Sequence, residues 1–103
     1  MRRAPSDLAS MGDQAIRLLI YGRVQGVGYR WWAKREARAL ALRGWVRNRS
    51  DGSVELLAIG PAAALRVLAD LCRRGPNAAE VTSVEEAEAD DDRSLDFREA
   101  ETL

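Results

Sequence analysis

At 103 residues the chain has room for one hydrophobic core and not two, since a domain of this size buries roughly 60 to 70% of the surface its unfolded form exposes. Hydrophobic residues at 47% and charged residues at 31% exclude a disordered chain, and a formal net charge of zero excludes the broad positive field of non-specific nucleic-acid binders. The absence of histidine removes the commonest general base and metal ligand, and a single cysteine, Cys72, rules out an internal disulfide and the four-cysteine zinc sites.

Residues 1–14 carry Pro, Ser, Asp and Gly without periodicity and are expected to form a flexible tail, with Met11 as an alternative start. No apolar run reaches signal-peptide or membrane-span length, so a cytoplasmic protein without membrane contact is expected. The domain proper is expected over residues 15–98. Ile16, Leu18 and Ile20 alternate with Arg17, Leu19 and Tyr21, a period of two that predicts a strand ending at residues 22–24. Ala33, Ala37, Leu40 and Ala41 then recur at helical spacing, which predicts a helix over residues 29–40. Residues 43–48 read as a short strand. Ser50, Asp51 and Gly52 supply hairpin-turn chemistry, and residues 53–59 alternate again as the antiparallel partner.

Gly60 and Pro61 punctuate the chain, with proline suited to the first helical position. Ala64, Leu65, Leu68, Ala69 and Cys72 mark one face of a second helix, which Gly75 and Pro76 stop. β-branched residues over 81–87 predict a fourth strand, Asp90, Asp91 and Asp92 a solvated turn, and residues 95–98 a short fifth strand. Residues 99–103 are expected to be a C-terminal tail.

The order strand, helix, strand, strand, helix, strand predicts an α+β fold: a ferredoxin-like split βαβ sandwich, with two helices on one face of a mostly antiparallel four- to five-stranded sheet. A right-handed first crossover makes the first two strands parallel, and the third fits between them. The loop after Val24 is then expected close to Asn48.

That loop, Gly22-Arg-Val-Gln-Gly-Val-Gly-Tyr-Arg30, joins a strand to a helix. Its glycines permit backbone conformations in which successive N–H groups converge on an anion, and it ends at a helix amino terminus, where the dipole favours phosphate. Arg30, in the first helical turn, can add a planar fork of donors to the same oxygens. The spacing matches neither the dinucleotide fingerprint nor a P-loop. Glycine spacing alone leaves an ordinary strand-to-helix turn, with Arg30 in solvent, as an open alternative.

Together with Ala37, Leu40, Gly44-Trp-Val-Arg-Asn48, Asp51-Gly-Ser-Val-Glu55, Gly60, Gly75-Pro76 and Val81, the loop resembles the acylphosphatase family over about residues 15–97. The resemblance implies a metal-independent hydrolase with no cofactor, acting on a small-molecule acyl phosphate. It implies that Arg30 and the backbone N–H groups of Gln25, Gly26, Val27, Gly28, Tyr29 and Arg30 hold the phosphate, and that Asn48 orients the attacking water. A monomer with no nucleic-acid partner is expected. Two alternatives reuse the fold: a non-catalytic anion- or RNA-binding module, and a domain of a larger carbamoyl-transfer machine. Asn48 separates them, because phosphate binding alone does not require it.

Other residues invite functional readings that packing explains more simply. Trp31, Trp32 and Trp45 are expected in the core, Cys72 as a buried thiol, and Arg47 and Arg49 in solvent beside the hairpin. The Tyr29 hydroxyl needs a partner. Ala41 stands where the family often has glycine at a helix end; a left-handed alanine costs roughly 1 kcal/mol, so a different helix ending is expected.

Overall fold

A computed structural model describes residues 12–103, so Met11 and most of the predicted tail lie outside the described residues. The elements are β1 (Asp13–Arg23), α1 (Tyr29–Ala39), β2 (Arg43–Asn48), β3 (Val54–Pro61), α2 (Ala62–Arg74), β4 (Glu80–Glu88) and β5 (Phe97–Glu99). One sheet carries the strands in the order β4-β1-β3-β2-β5, antiparallel except where β5 runs parallel to β2. Because β3 lies between β1 and β2, those two strands are parallel and their carboxyl ends share an edge.

Alternation along the strands assigns the two faces. Ile16, Leu18 and Ile20 of β1, Val46 of β2, and Val54, Leu56 and Ala58 of β3 bury against both helices. α1 contributes Tyr29, Ala33 and Ala37, one stripe at helical spacing, and α2 contributes Leu65, Leu68, Ala69 and Cys72. A fully buried side chain such as Leu18 contributes roughly 1.5 to 3 kcal/mol, so these stripes fix how the helices sit on the sheet.

On the opposite face Ala15, Leu57 and Ile59 form a smaller buried cluster, with Trp45 and Ala89 packed against it. Trp45 therefore lies outside the main core. Its indole Nε1–H donates to Asp92 Oδ2 at 3.1 Å, and the Arg47 guanidinium sits 4.5 Å from its ring centre. Asp91 bonds Arg43 at 2.7 Å, and hydrogen bonding from Arg43 holds its carboxyl below the usual range. The acidic run is thus a strap tied to β2, held by partners distant in sequence, and more than a solvated turn.

Several boundaries move for identifiable reasons. β1 starts two residues before Ala15 because Asp13 and Gln14 pair with Pro61 and Gly60. Pro61 caps α2 in an extended conformation, and the helix begins at Ala62. The final residues run beside β2: Ala100 N–H donates to Val46 O at 2.8 Å and Leu103 N–H to Asn48 O at 3.0 Å.

The expectation of a different ending for α1 is wrong. Ala41 takes the left-handed conformation, φ 58°, while Ala41 N–H donates to Arg38 O and Leu42 N–H to Ala37 O, the paired bonds of a Schellman cap. The chain accepts the strain because these bonds satisfy the last carbonyls of α1 and because Leu42 enters the core. Ala41→Gly removes a left-handed penalty of about 1 to 2 kcal/mol and adds unfolded-state entropy worth about 0.4 to 1 kcal/mol. The net expectation is stabilisation by roughly 0.5 to 1 kcal/mol, read as a higher urea midpoint at unchanged m-value.

Candidate active site

The loop between β1 and α1 is shaped by a few anchors. Val24 is buried at its entry, and Val27 packs against the core. Gly26 and Gly28 take left-handed conformations, φ 74° and 81°, which glycine adopts without steric cost; Gly28 is the residue from which α1 starts. The Gln25 side chain donates to Arg49 O and Ser53 O, both at 2.8 Å, and so braces the loop against the β2–β3 turn. Tyr29 finds the partner its hydroxyl needs: it donates to Cys72 O at 2.7 Å and ties the start of α1 to α2. Burial, reinforced by Cys72, raises the tyrosine pKa, so this donor stays protonated.

No backbone N–H of residues 25–30 donates to a protein acceptor among the described residues. The first helical bond of this region runs from Trp32 N–H to Gly28 O, as expected at an amino terminus with unsatisfied donors. A run of free N–H groups with left-handed glycines has the geometry that can cradle an anion, and the positive end of the α1 dipole points the same way.

A cleft of about 160 Å³ opens over this loop, lined by Gly26, Gly28, Tyr29 and Arg30 on the loop side and by Asn48 from the end of β2. The shared carboxyl edge of β1 and β2 brings Asn48 there, as the crossover predicts. Gln25 and Val27 do not line the cleft with their side chains; any contribution from them is through the backbone. Arg30 makes no ion pair among the described residues. By contrast Arg17, Arg47 and Arg49 all converge on Glu55, a nearly buried carboxylate at 3% exposure. Burial pushes that carboxyl up, but hydrogen bonds from Arg17 and Arg47 outweigh it and hold Glu55 below the usual range. Arg47 and Arg49 are therefore structural cations, and Arg30 is the one the cleft retains.

Three further residues line the cleft that sequence reasoning did not place there: the buried Val24, Glu99 and Trp31. Glu99, from β5, pairs with Lys34 at 2.8 Å, one turn beyond Arg30 on α1. The short fifth strand was expected over residues 95–98 and residue 99 in the tail, one residue short of this position. Trp31 also lines the cleft and is 54% exposed, while Trp32 packs edge-on against Tyr29 with ring centres 5.2 Å apart. The expectation that both tryptophans serve the core fails for Trp31. A signal was present: Trp31 lies two residues from Ala33 on the stripe Tyr29, Ala33, Ala37, about 200° around the helix.

Size does not single out this cleft. A larger recess of about 490 Å³ lies between the helices beside Trp32, Glu36, Arg74 and Pro76, yet it contains neither Arg30 nor Asn48. Cys72 is fully buried, and burial pushes its thiol up to about 12, so it is no nucleophile. Among the described residues no group of three or more His, Cys, Asp or Glu is arranged to hold a metal ion, and no helix is long and apolar enough to cross a membrane.

The acylphosphatase family model matches residues 16–99. An acylphosphatase from Nitrobacter hamburgensis is 54% identical over 76 residues, spanning 74% of this chain and 77% of that protein. The structure of an acylphosphatase from Coxiella burnetii has a TM-score of 0.86 at 34% identity, covering 89% of this chain and 97% of its own. That of acylphosphatase from Bacillus subtilis has a TM-score of 0.81 at 37% identity, covering 84% and 97%.

Proposed function

The chain belongs to the acylphosphatase family, and from that premise we propose that it hydrolyses acyl phosphates to carboxylate and inorganic phosphate in the cleft between the 24–28 loop and Asn48. The observation that carries this reading is one small cleft lined by a loop whose N–H groups have no acceptor among the described residues, by an arginine with no ion pair among them and by a neutral amide.

The N–H groups of the loop and the Arg30 guanidinium hold the phosphate oxygens and stabilise the charge they carry as the reaction proceeds. Asn48 offers both a donor and an acceptor to a water but is too weak a base to deprotonate it, so its task is orientation. The water oxygen attacks phosphorus, the bond from phosphorus to the acyl oxygen breaks, and the carboxylate leaves. The proton released by the water passes to a phosphate oxygen of the substrate. An acyl phosphate carries a good leaving group, so positioning and electrostatics suffice without histidine. The proposal includes a monomer working in the cytoplasm without a metal.

Turnover of benzoyl phosphate, followed spectrophotometrically with and without excess chelator, tests it. Equal hydrolysis under both conditions is expected. Chelator-sensitive turnover overturns the metal-free chemistry, and no turnover favours a non-catalytic anion- or RNA-binding module.

A further inference from the structure

We infer that Trp31 is the platform on which the acyl group of the substrate lies, and that the enzyme favours acyl phosphates with flat, apolar acyl groups. This rests on the phosphate occupying the Arg30 cleft as proposed above. At about 160 Å³ the cleft is half the size of the smallest pockets that enclose a drug-sized ligand, roughly 300 Å³, so it takes the phosphate and leaves the acyl group at its rim. Of the residues on that rim, Val24 and Tyr29 are buried and Glu99 is charged and tied to Lys34. Trp31 supplies the exposed apolar surface. The indole, 54% exposed and two residues from the buried stripe of its own helix, belongs to neither buried cluster.

The ring is also held in place. The Arg35 guanidinium sits 4.9 Å from its centre, a cation–π contact one turn along α1 that restricts where the indole swings. A rigid aromatic surface beside Arg30 gathers contact area at little entropic cost. An aryl acyl group stacks on it with an offset or edge-on geometry, whereas an acetyl group offers no flat face to stack. Glu99 in the same cleft disfavours an acyl group that carries a second negative charge close to it.

The test compares benzoyl phosphate with acetyl phosphate on the native protein, Trp31→Ala and Trp31→Phe. Trp31→Ala is expected to lower the benzoyl-over-acetyl ratio of kcat/KM about tenfold, mainly through KM for benzoyl phosphate, as expected from one ring's loss of apolar contact. Trp31→Phe is expected to recover most of the preference. Inhibition by inorganic phosphate serves as a check on the Arg30 cleft and is expected to change less than about twofold, because phosphate has no apolar face for the indole to stack on. A ratio unchanged in Trp31→Ala, or equal losses on both substrates, overturns the platform while leaving hydrolysis intact. Absence of turnover of either substrate by the native protein overturns the hydrolase reading itself, and the platform with it.

Discussion

Arg30→Ala is expected to lower kcat/KM on benzoyl phosphate by about 10²- to 10³-fold, the roughly 3 to 4 kcal/mol that one preorganised charge donor contributes to a transition state. The size of the loss follows from how the cations are distributed. Arg17, Arg47 and Arg49 are committed to Glu55, and Lys34, one turn from Arg30 on the same helix face, is committed to Glu99. Among the described residues, Arg30 is the one cation that lines the cleft. Arg30 is partly exposed and has no ion pair among the described residues, so its removal leaves no buried charge stranded and the fold should persist; an unchanged thermal midpoint checks this. Arg30→Lys is expected to recover little, since an ammonium cannot reproduce two parallel bonds to phosphate oxygens. Full activity in Arg30→Ala would remove the residue from the mechanism, and near-native phosphate inhibition in Arg30→Lys would show that charge matters there and the fork does not.

Most of the fold was legible because its signals are local. Alternation marks β1 and β3, hairpin chemistry at Asp51 and Gly52 joins β2 to β3, and Gly75 ends α2. The meeting of Arg30 and Asn48 was also legible, though the residues are far apart in sequence, because crossover handedness leaves few other arrangements. The features that escaped depend on contacts between distant segments. Glu99 enters the cleft only because β5 adds to the free edge of β2, and Asp91 and Asp92 find Arg43 and Trp45 across the sheet. Ala41 shows the opposite: local preference argued against a left-handed alanine, and the hydrogen bonds of the cap together with the burial of Leu42 outweighed it.

Asn48→Ala separates catalysis from binding at the same cleft, and is expected to lower kcat by about 10²-fold while the inhibition constant for inorganic phosphate stays within about twofold. The backbone of Asn48 is fixed independently of its side chain: it pairs with Val54 across the hairpin, and its carbonyl accepts from Leu103 N–H at 3.0 Å. Truncation therefore removes an amide from the cleft without moving the strand that carries it. Phosphate contacts from the loop and Arg30 remain, so ground-state binding should survive, while the water loses the group that aligns it for attack. Asn48→Asp sharpens the contrast. It keeps the shape and an acceptor but loses the donor, and its negative charge beside the phosphate weakens inhibition by phosphate as well as turnover. If alanine instead weakened phosphate inhibition in proportion to kcat, Asn48 would belong with Arg30 as a phosphate ligand, and the water would need another guide.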